Sequence, residues 1–247
     1  MHITVTTELH SVAATEWNAL VAEQDPFLAH EFLVALERHQ CLHEHSGWWP
    51  QHLLARDAHG RLVGACPLYL KDNSYGELVF DWNWATAYER YRNRPYYPKL
   101  VSAIPFTPAT GARLLLADPN DHATAQALLE RTRELALQRR CSSVHWLFPN
   151  ADELAHYQTL NGLTRLGCQF HWHNQGYRDF ADFLERFTAK KRKNIRQERR
   201  KVQDSGIGLR SFSGLEVSEA QWVQFHRFYC STFYRLGGQP TLTLAFF

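Results

Sequence analysis

Two apolar-rich runs, QHLLARD and RLVGACPLYL, face each other across Asp57-Ala58-His59-Gly60, and this pairing constrains the fold more than any other feature of the chain. Asp and Gly at such a junction suit a tight reversal, so the two runs read as a β-hairpin. A hairpin cannot stand alone in water, and the segments around it decide the class. Residues 11–20 and 26–40 precede it as predicted helices, the second with Phe27, Leu28, Phe32, Leu33, Val34 and Leu36 on an apolar face.

Beyond the hairpin the period keeps switching. Short strands are predicted at 100–103, 112–117 and 143–148, a helix with Ala, Leu, Arg and Glu at helical spacing at 122–139, a helix at 151–162 ending in Asn161-Gly162, and a returning strand at 163–173. That order makes a mixed α/β layer of about 175 residues. A long helix is predicted at 179–205, a short strand at 206–210 and another helix at 218–235. The element order therefore suggests a first domain at 1–175, a basic connecting segment at 176–205, and the start of a second domain at 206–247.

At 247 residues with 45% apolar side chains there is ample material for a core. No run of 18 apolar residues occurs, and the first residues, MHITVTTELHSV, have neither the basic nor the apolar stretch of a secretory signal, so the expected address is the cytoplasm. Five scattered cysteines without a CxxC pair read as reduced thiols.

The net charge of +2 is unevenly spread. Residues 186–201 hold nine basic side chains and one acid, Glu198, so the rest of the chain is net acidic. In FLERFTAKKRKNIRQERRKVQDSGI, taken as one helix, Leu184, Phe187, Ile195 and Val202 share a side while Arg192, Lys193, Arg196, Arg199 and Arg200 cluster opposite. Guanidinium groups one turn apart suit a pyrophosphate or an RNA backbone. A solvated basic face without a ligand is the alternative.

Residues 80–108 crowd Trp82, Trp84, Tyr88, Tyr91, Tyr96 and Tyr97 with Asp81, Glu89, Arg90, Arg94 and Lys99. Stacking surfaces beside charges suit a substrate cleft, and an ordinary core with its rim is the other reading. Glu77, Asp81 and Glu89 are candidate general bases for an amine, and His145, beside Trp146 in a predicted strand, is a candidate acid/base. Cys41-x-His43-x-His45 and Cys168-x-x-His171-x-His173 match no structural zinc pattern, so no metal is expected. There is no P-loop, no GxGxxG, no GxSxG and no HExxH. A phosphate-cradling glycine loop of the acetyl-CoA type is also missing, with Leu116-Ala117-Asp118-Pro119-Asn120 in its expected place.

The strings SYGELVFDWNWATAYERY, YYPKLVSAIPFTPATGARLL, SSVHWLFP, GCQFHWHNQGYRDFADFLERFTAKKRKNIRQERRKV and WVQFHRFYCSTFYRLGG resemble the FemAB-like family of peptidoglycan-biosynthesis-type N-acyltransferases. The resemblance implies an α/β (α+β) fold of tandem GNAT-like domains, a mixed sheet flanked by helices. It also implies members that run past residue 247, so that the chain stops within its second domain. It implies acyl or aminoacyl transfer to an amine from acyl-CoA or aminoacyl-tRNA, an anionic small-molecule or tRNA donor, and an acceptor on a peptidoglycan-type precursor. The resemblance itself supplies no catalytic residue; from residue type, Asp81 and His145 are the catalytic candidates, with Trp82, Trp84, Tyr88, Tyr96, Tyr97 and Lys99 as candidates for binding the acceptor. Lys191, Arg192, Asn194, Arg196 and Arg199 match the family's basic helix and are the candidate phosphate ligands. The rival expectation is a non-catalytic GNAT shell that holds RNA or an anionic precursor through that helix.

Overall fold

The computed structural model describes residues 1–23 and 25–247. In chain order it contains β1 (His2–Thr6), α1 (Ala14–Asn18), α2 (His30–Arg38), β2 (Trp48–Pro50), β3 (His52–Arg56), β4 (Leu62–Cys66), β5 (Tyr69–Lys71) and α3 (Trp82–Arg92). There follow β6 (Lys99–Ser102), β7 (Leu115–Leu116), α4 (His122–Gln138), β8 (Val144–Trp146), α5 (Leu154–Gln158), α6 (Phe180–Glu185), α7 (Ala189–Asp204) and α8 (Glu219–Arg235). This is the mixed α/β class expected. The chain divides into two compact units, Met1–Leu163 with Trp222–Phe247, and Thr164–Gln221. Among the described residues no helix is long and apolar enough to cross a membrane.

Both sheets lie in the first unit. One has the order β1-β3-β4-β7 and is antiparallel throughout; the other has the order β2-β5-β6-β8, with β6 and β8 parallel. The predicted hairpin is present as β3 and β4, and its reversal is held by Asp57, whose Oδ1 accepts from the amides of His59 and Arg61. Its second run does not stay one strand. Proline lacks a ladder N–H, and at Pro67 the run divides into β4 of one sheet and β5 of the other.

Side chains alternate across β3, so the strand serves two cores. Leu54 joins Leu9, Trp17, Leu33, Leu36 and Leu115 on one face, while Leu53 and Ala55 join Leu128, Leu129 and Leu100 on the other. Helix α4 starts at Asp121, whose side chain caps the amide of Thr124, and buries Ala125, Leu128, Leu129, Thr132 and Ala136 at helical spacing. It comes so close to β4 that a Cβ on Gly64 would lie 2.6 Å from Thr124 Cγ2. A side chain there would have to displace that of Thr124.

Several expectations are corrected. Strand β1 was not foreseen, because its pairing partner, β3, lies some fifty residues away. The strand expected at 163–173 and the short one at 206–210 do not form: both segments have alternating side chains, but no described residue pairs with them. The single helix expected at 179–205 is two, because Thr188 takes an extended backbone and caps α7, its hydroxyl accepting from Lys191 N. The apolar stripe drawn through Leu184, Phe187, Ile195 and Val202 is broken with it. Leu184 is buried on α6, whereas Val202 on α7 is 45% exposed.

Candidate functional site

The aromatic segment and the edge of the second sheet enclose a cluster of ionisable groups. Lys99, the first residue of β6, is fully buried, and its three protons go to Glu77 Oε2 at 2.7 Å, Asp81 Oδ2 at 2.6 Å and Ser74 Oγ at 3.0 Å. Asp81 also accepts from the Tyr96 hydroxyl at 2.8 Å. That hydroxyl lies 3.3 Å from His145 Nε2, which is 2.9 Å from Ser143 Oγ. Tyr97 shares a 2.8 Å hydrogen bond with Ser74, and Tyr88 packs edge-on against Tyr96. A connected path therefore runs from Ser143 and the partly exposed His145 to a buried ion pair.

The parallel pairing of β6 with β8 brings these groups together: Val101 stands opposite His145, two residues beyond Lys99. Ser143, immediately before β8, lies two residues from His145, and its Oγ is 2.9 Å from His145 Nε2.

Each group's protonation follows from its surroundings. Burial works to raise Asp81, but hydrogen bonds from Lys99, Ser74 and Tyr96 prevail and hold it down at about 2. Burial raises the Glu77 carboxyl, only partly opposed by Lys99. Burial, reinforced by the bond to Asp81, pushes the Tyr96 phenol up. Burial and the nearby positive charge of Lys99 pull His145 down to about 4, so the imidazole is neutral at physiological pH. Beside them the fully buried Lys71 is lowered by burial to about 7; its ammonium donates to the Ser46 and Tyr75 carbonyls and sits 4.1 Å from the Trp48 ring. The imidazole is thus uncharged but weakly basic, because burial and the charge of Lys99 disfavour its cation more than Asp81 favours it.

The same shifts predict acid sensitivity. The imidazole of the unfolded chain takes its proton near 6.5, that of the folded chain only near 4, so stability falls as pH drops through this window, by about 3 kcal/mol in all. Asp81 adds a second loss between about 4 and 2, where the unfolded chain is protonated first. Urea unfolding at a series of pH values should show both losses, and His145→Gln should remove the upper one alone.

Of the acceptor-site candidates, Asp81, Tyr96, Tyr97, Lys99 and His145 fall in one cluster with Tyr88 at its edge. Lys99 is enclosed and has its three donors used within the cluster. Trp82 and Trp84 stand outside the cluster on α3, 49% and 53% exposed. Lys191, Arg192, Asn194, Arg196 and Arg199 belong to the second unit, on α7, where Arg199 stacks over Phe180 at 4.2 Å and Lys191 over Phe187 at 5.1 Å. Ser74, Ser143 and Lys71 were not foreseen. Ser143 had a readable signal in its spacing from His145; Ser74 had none.

The place of the missing glycine loop, between β7 and α4, carries Asp118 and Asp121, which accept from the Asn120 and Thr124 amides. Amides that would have cradled a phosphate are thus already bound to carboxylates. Among the described residues no group of three metal-ligating side chains converges.

The family profile for FemAB-like proteins, described as peptidoglycan biosynthesis/recognition, matches residues 8–247. The chain belongs to the FemAB-like family. Solved structures similar to this FemAB-like chain include two aminoglycoside 6'-N-acetyltransferases. That of Acinetobacter haemolyticus has 13% identity and a TM-score of 0.41, covering 70% of this chain and 99% of its own. That of Acinetobacter baumannii has 12% identity and a TM-score of 0.39, covering 71% and 99%. An acetyltransferase of Trypanosoma brucei has 14% identity and a TM-score of 0.37, covering 70% and 99%. No curated relative matches at a significant level.

Proposed function

We propose that this FemAB-like chain is an N-acyltransferase of GNAT-like fold that moves an acyl or aminoacyl group from acyl-CoA or aminoacyl-tRNA to an amine on a peptidoglycan-type precursor. The observation that carries the reading is the family match over nearly the whole chain. The cluster around Tyr96 supports it with suitable chemistry. Acyl transfer needs an amine stripped of its proton near neutrality, and His145 offers a neutral imidazole backed by Tyr96 and Asp81. In this reading His145 accepts the proton of the attacking amine as the C–N bond forms, and that proton passes to the donor's sulfur or ribose oxygen as its bond to the acyl carbon breaks. Tyr88, Tyr96 and Tyr97 shape the acceptor's surroundings. Lys191, Arg192, Asn194, Arg196 and Arg199 on α7 are the candidate ligands for an anionic group, read by themselves within the second unit.

The exposed cationic face of α7 favours a second reading, a non-catalytic module that holds RNA or an anionic precursor. Titration of the whole chain with acetyl-CoA and with tRNA at two salt concentrations separates the two. The enzyme reading expects saturable binding of one donor and loss of that binding in Arg192→Glu/Arg196→Glu. Salt-steep RNA binding with no acyl transfer from either donor overturns it in favour of the module.

A further inference from the structure

One row of side chains is left unused by acyl transfer. Between Tyr75 and Trp82 the backbone alternates in direction: Glu77 and Asp81 turn inward onto Lys99, while Tyr75, Leu78, Phe80 and Trp82 turn outward with 67%, 40%, 64% and 49% of their surface exposed. The turns require left-handed backbone at Gly76, Leu78 and Phe80, with φ of +78°, +62° and +50°. Leucine and phenylalanine rarely adopt that conformation, and here the buried ion pair holds them in it with their side chains facing water. The outward rings are contiguous, Phe80 lying 5.4 Å and Tyr75 6.5 Å from Trp82. Exposed apolar clusters held by a rigid base mark interaction sites.

Charge indicates the partner. Arg90, Arg92 and Arg94, at the far end of α3 and just beyond it, are exposed and make no ion pair among the described residues. Of the three acids in 75–94, Glu77 and Asp81 are buried against Lys99 and only Glu89 is exposed. The exposed side chains of this segment are therefore mainly aromatic and cationic. Tyr and Trp favour the boundary between lipid and water, and arginine favours a layer of phosphates.

We propose that residues 75–94 form a docking surface for an anionic membrane, with Tyr75, Leu78, Phe80 and Trp82 entering the headgroup region and Arg90, Arg92 and Arg94 meeting lipid phosphates. The surface is separate from the acyl-transfer reading and stands or falls without it. The test is co-sedimentation of the whole chain with vesicles of equal parts phosphatidylglycerol and phosphatidylcholine, and with phosphatidylcholine alone. Binding is expected to the anionic vesicles only, to weaken with salt, and to fall about tenfold or more in Tyr75→Ser/Phe80→Ser. Those side chains are exposed, and an unchanged circular dichroism spectrum and melting temperature would exclude misfolding. Arg90→Gln/Arg92→Gln/Arg94→Gln should weaken binding and flatten its salt dependence. Absence of vesicle binding overturns the proposal. So does binding that survives Tyr75→Ser/Phe80→Ser and is lost in Arg192→Glu/Arg196→Glu, which would assign the contact to α7. A concentration-dependent dimer that disappears in Tyr75→Ser/Phe80→Ser without any lipid effect would assign the patch to a second copy of the chain and overturn it equally.

Discussion

Replacing Lys99 with methionine is expected to destabilise the chain by about 3–5 kcal/mol, measured as the shift of the urea unfolding curve. The methionine fills most of the space but leaves Glu77 and Asp81, 3% and 2% exposed, without the ammonium that bonds both. Each already has one buried oxygen with no hydrogen-bond partner, Glu77 Oε1 and Asp81 Oδ1, and although Tyr96 and Ser74 still support Asp81, no other side chain bonds Glu77 among the described residues. If the cost comes from stranded charge, it is reversible: Lys99→Met combined with Glu77→Gln and Asp81→Asn should recover most of the loss. A triple variant as unstable as Lys99→Met would mean that Lys99 acts through packing and not through its charge.

The second large effect is on rate. Replacement of His145 by glutamine is expected to lower kcat/KM for amine acylation by about 10²–10⁴-fold, the range for loss of a positioned acid/base. Glutamine keeps hydrogen-bonding capacity toward Ser143 and Tyr96 but cannot take a proton. Tyr96→Phe should cause a smaller loss, since it removes only the link to Asp81, and should move the acid limb of the pH–rate profile. A merely structural role for His145 predicts lower stability with an unchanged rate per folded molecule and an unaltered pH profile.

Local chemistry explains which parts of the fold were legible. The β3–β4 reversal was readable because Asp57 bonds amides two and four residues on, and α4 because its cap and apolar spacing lie within one continuous segment. Strand β1 was not, since its pairing partner lies some fifty residues away, and the break at Thr188 competed with a strong helical pattern on both sides. At the site, Asp81, Tyr96, Lys99 and His145 were each suggested by residue type. Their union was not, because it depends on the parallel alignment of β6 with β8, which no short-range pattern encodes. Burial was the other hidden quantity: lysine next to tyrosines reads as a binding group until the fold is seen to enclose it, and then its role becomes that of a support.

The most direct test is the amount of acylated amine formed, read by mass spectrometry, when the whole chain meets acetyl-CoA or an aminoacyl-tRNA together with a set of primary amines, including the peptide amine of a peptidoglycan precursor. The account predicts time-dependent acylation of at least one amine, slowed a hundredfold or more in folded His145→Gln. Equal rates in the two proteins would contradict it.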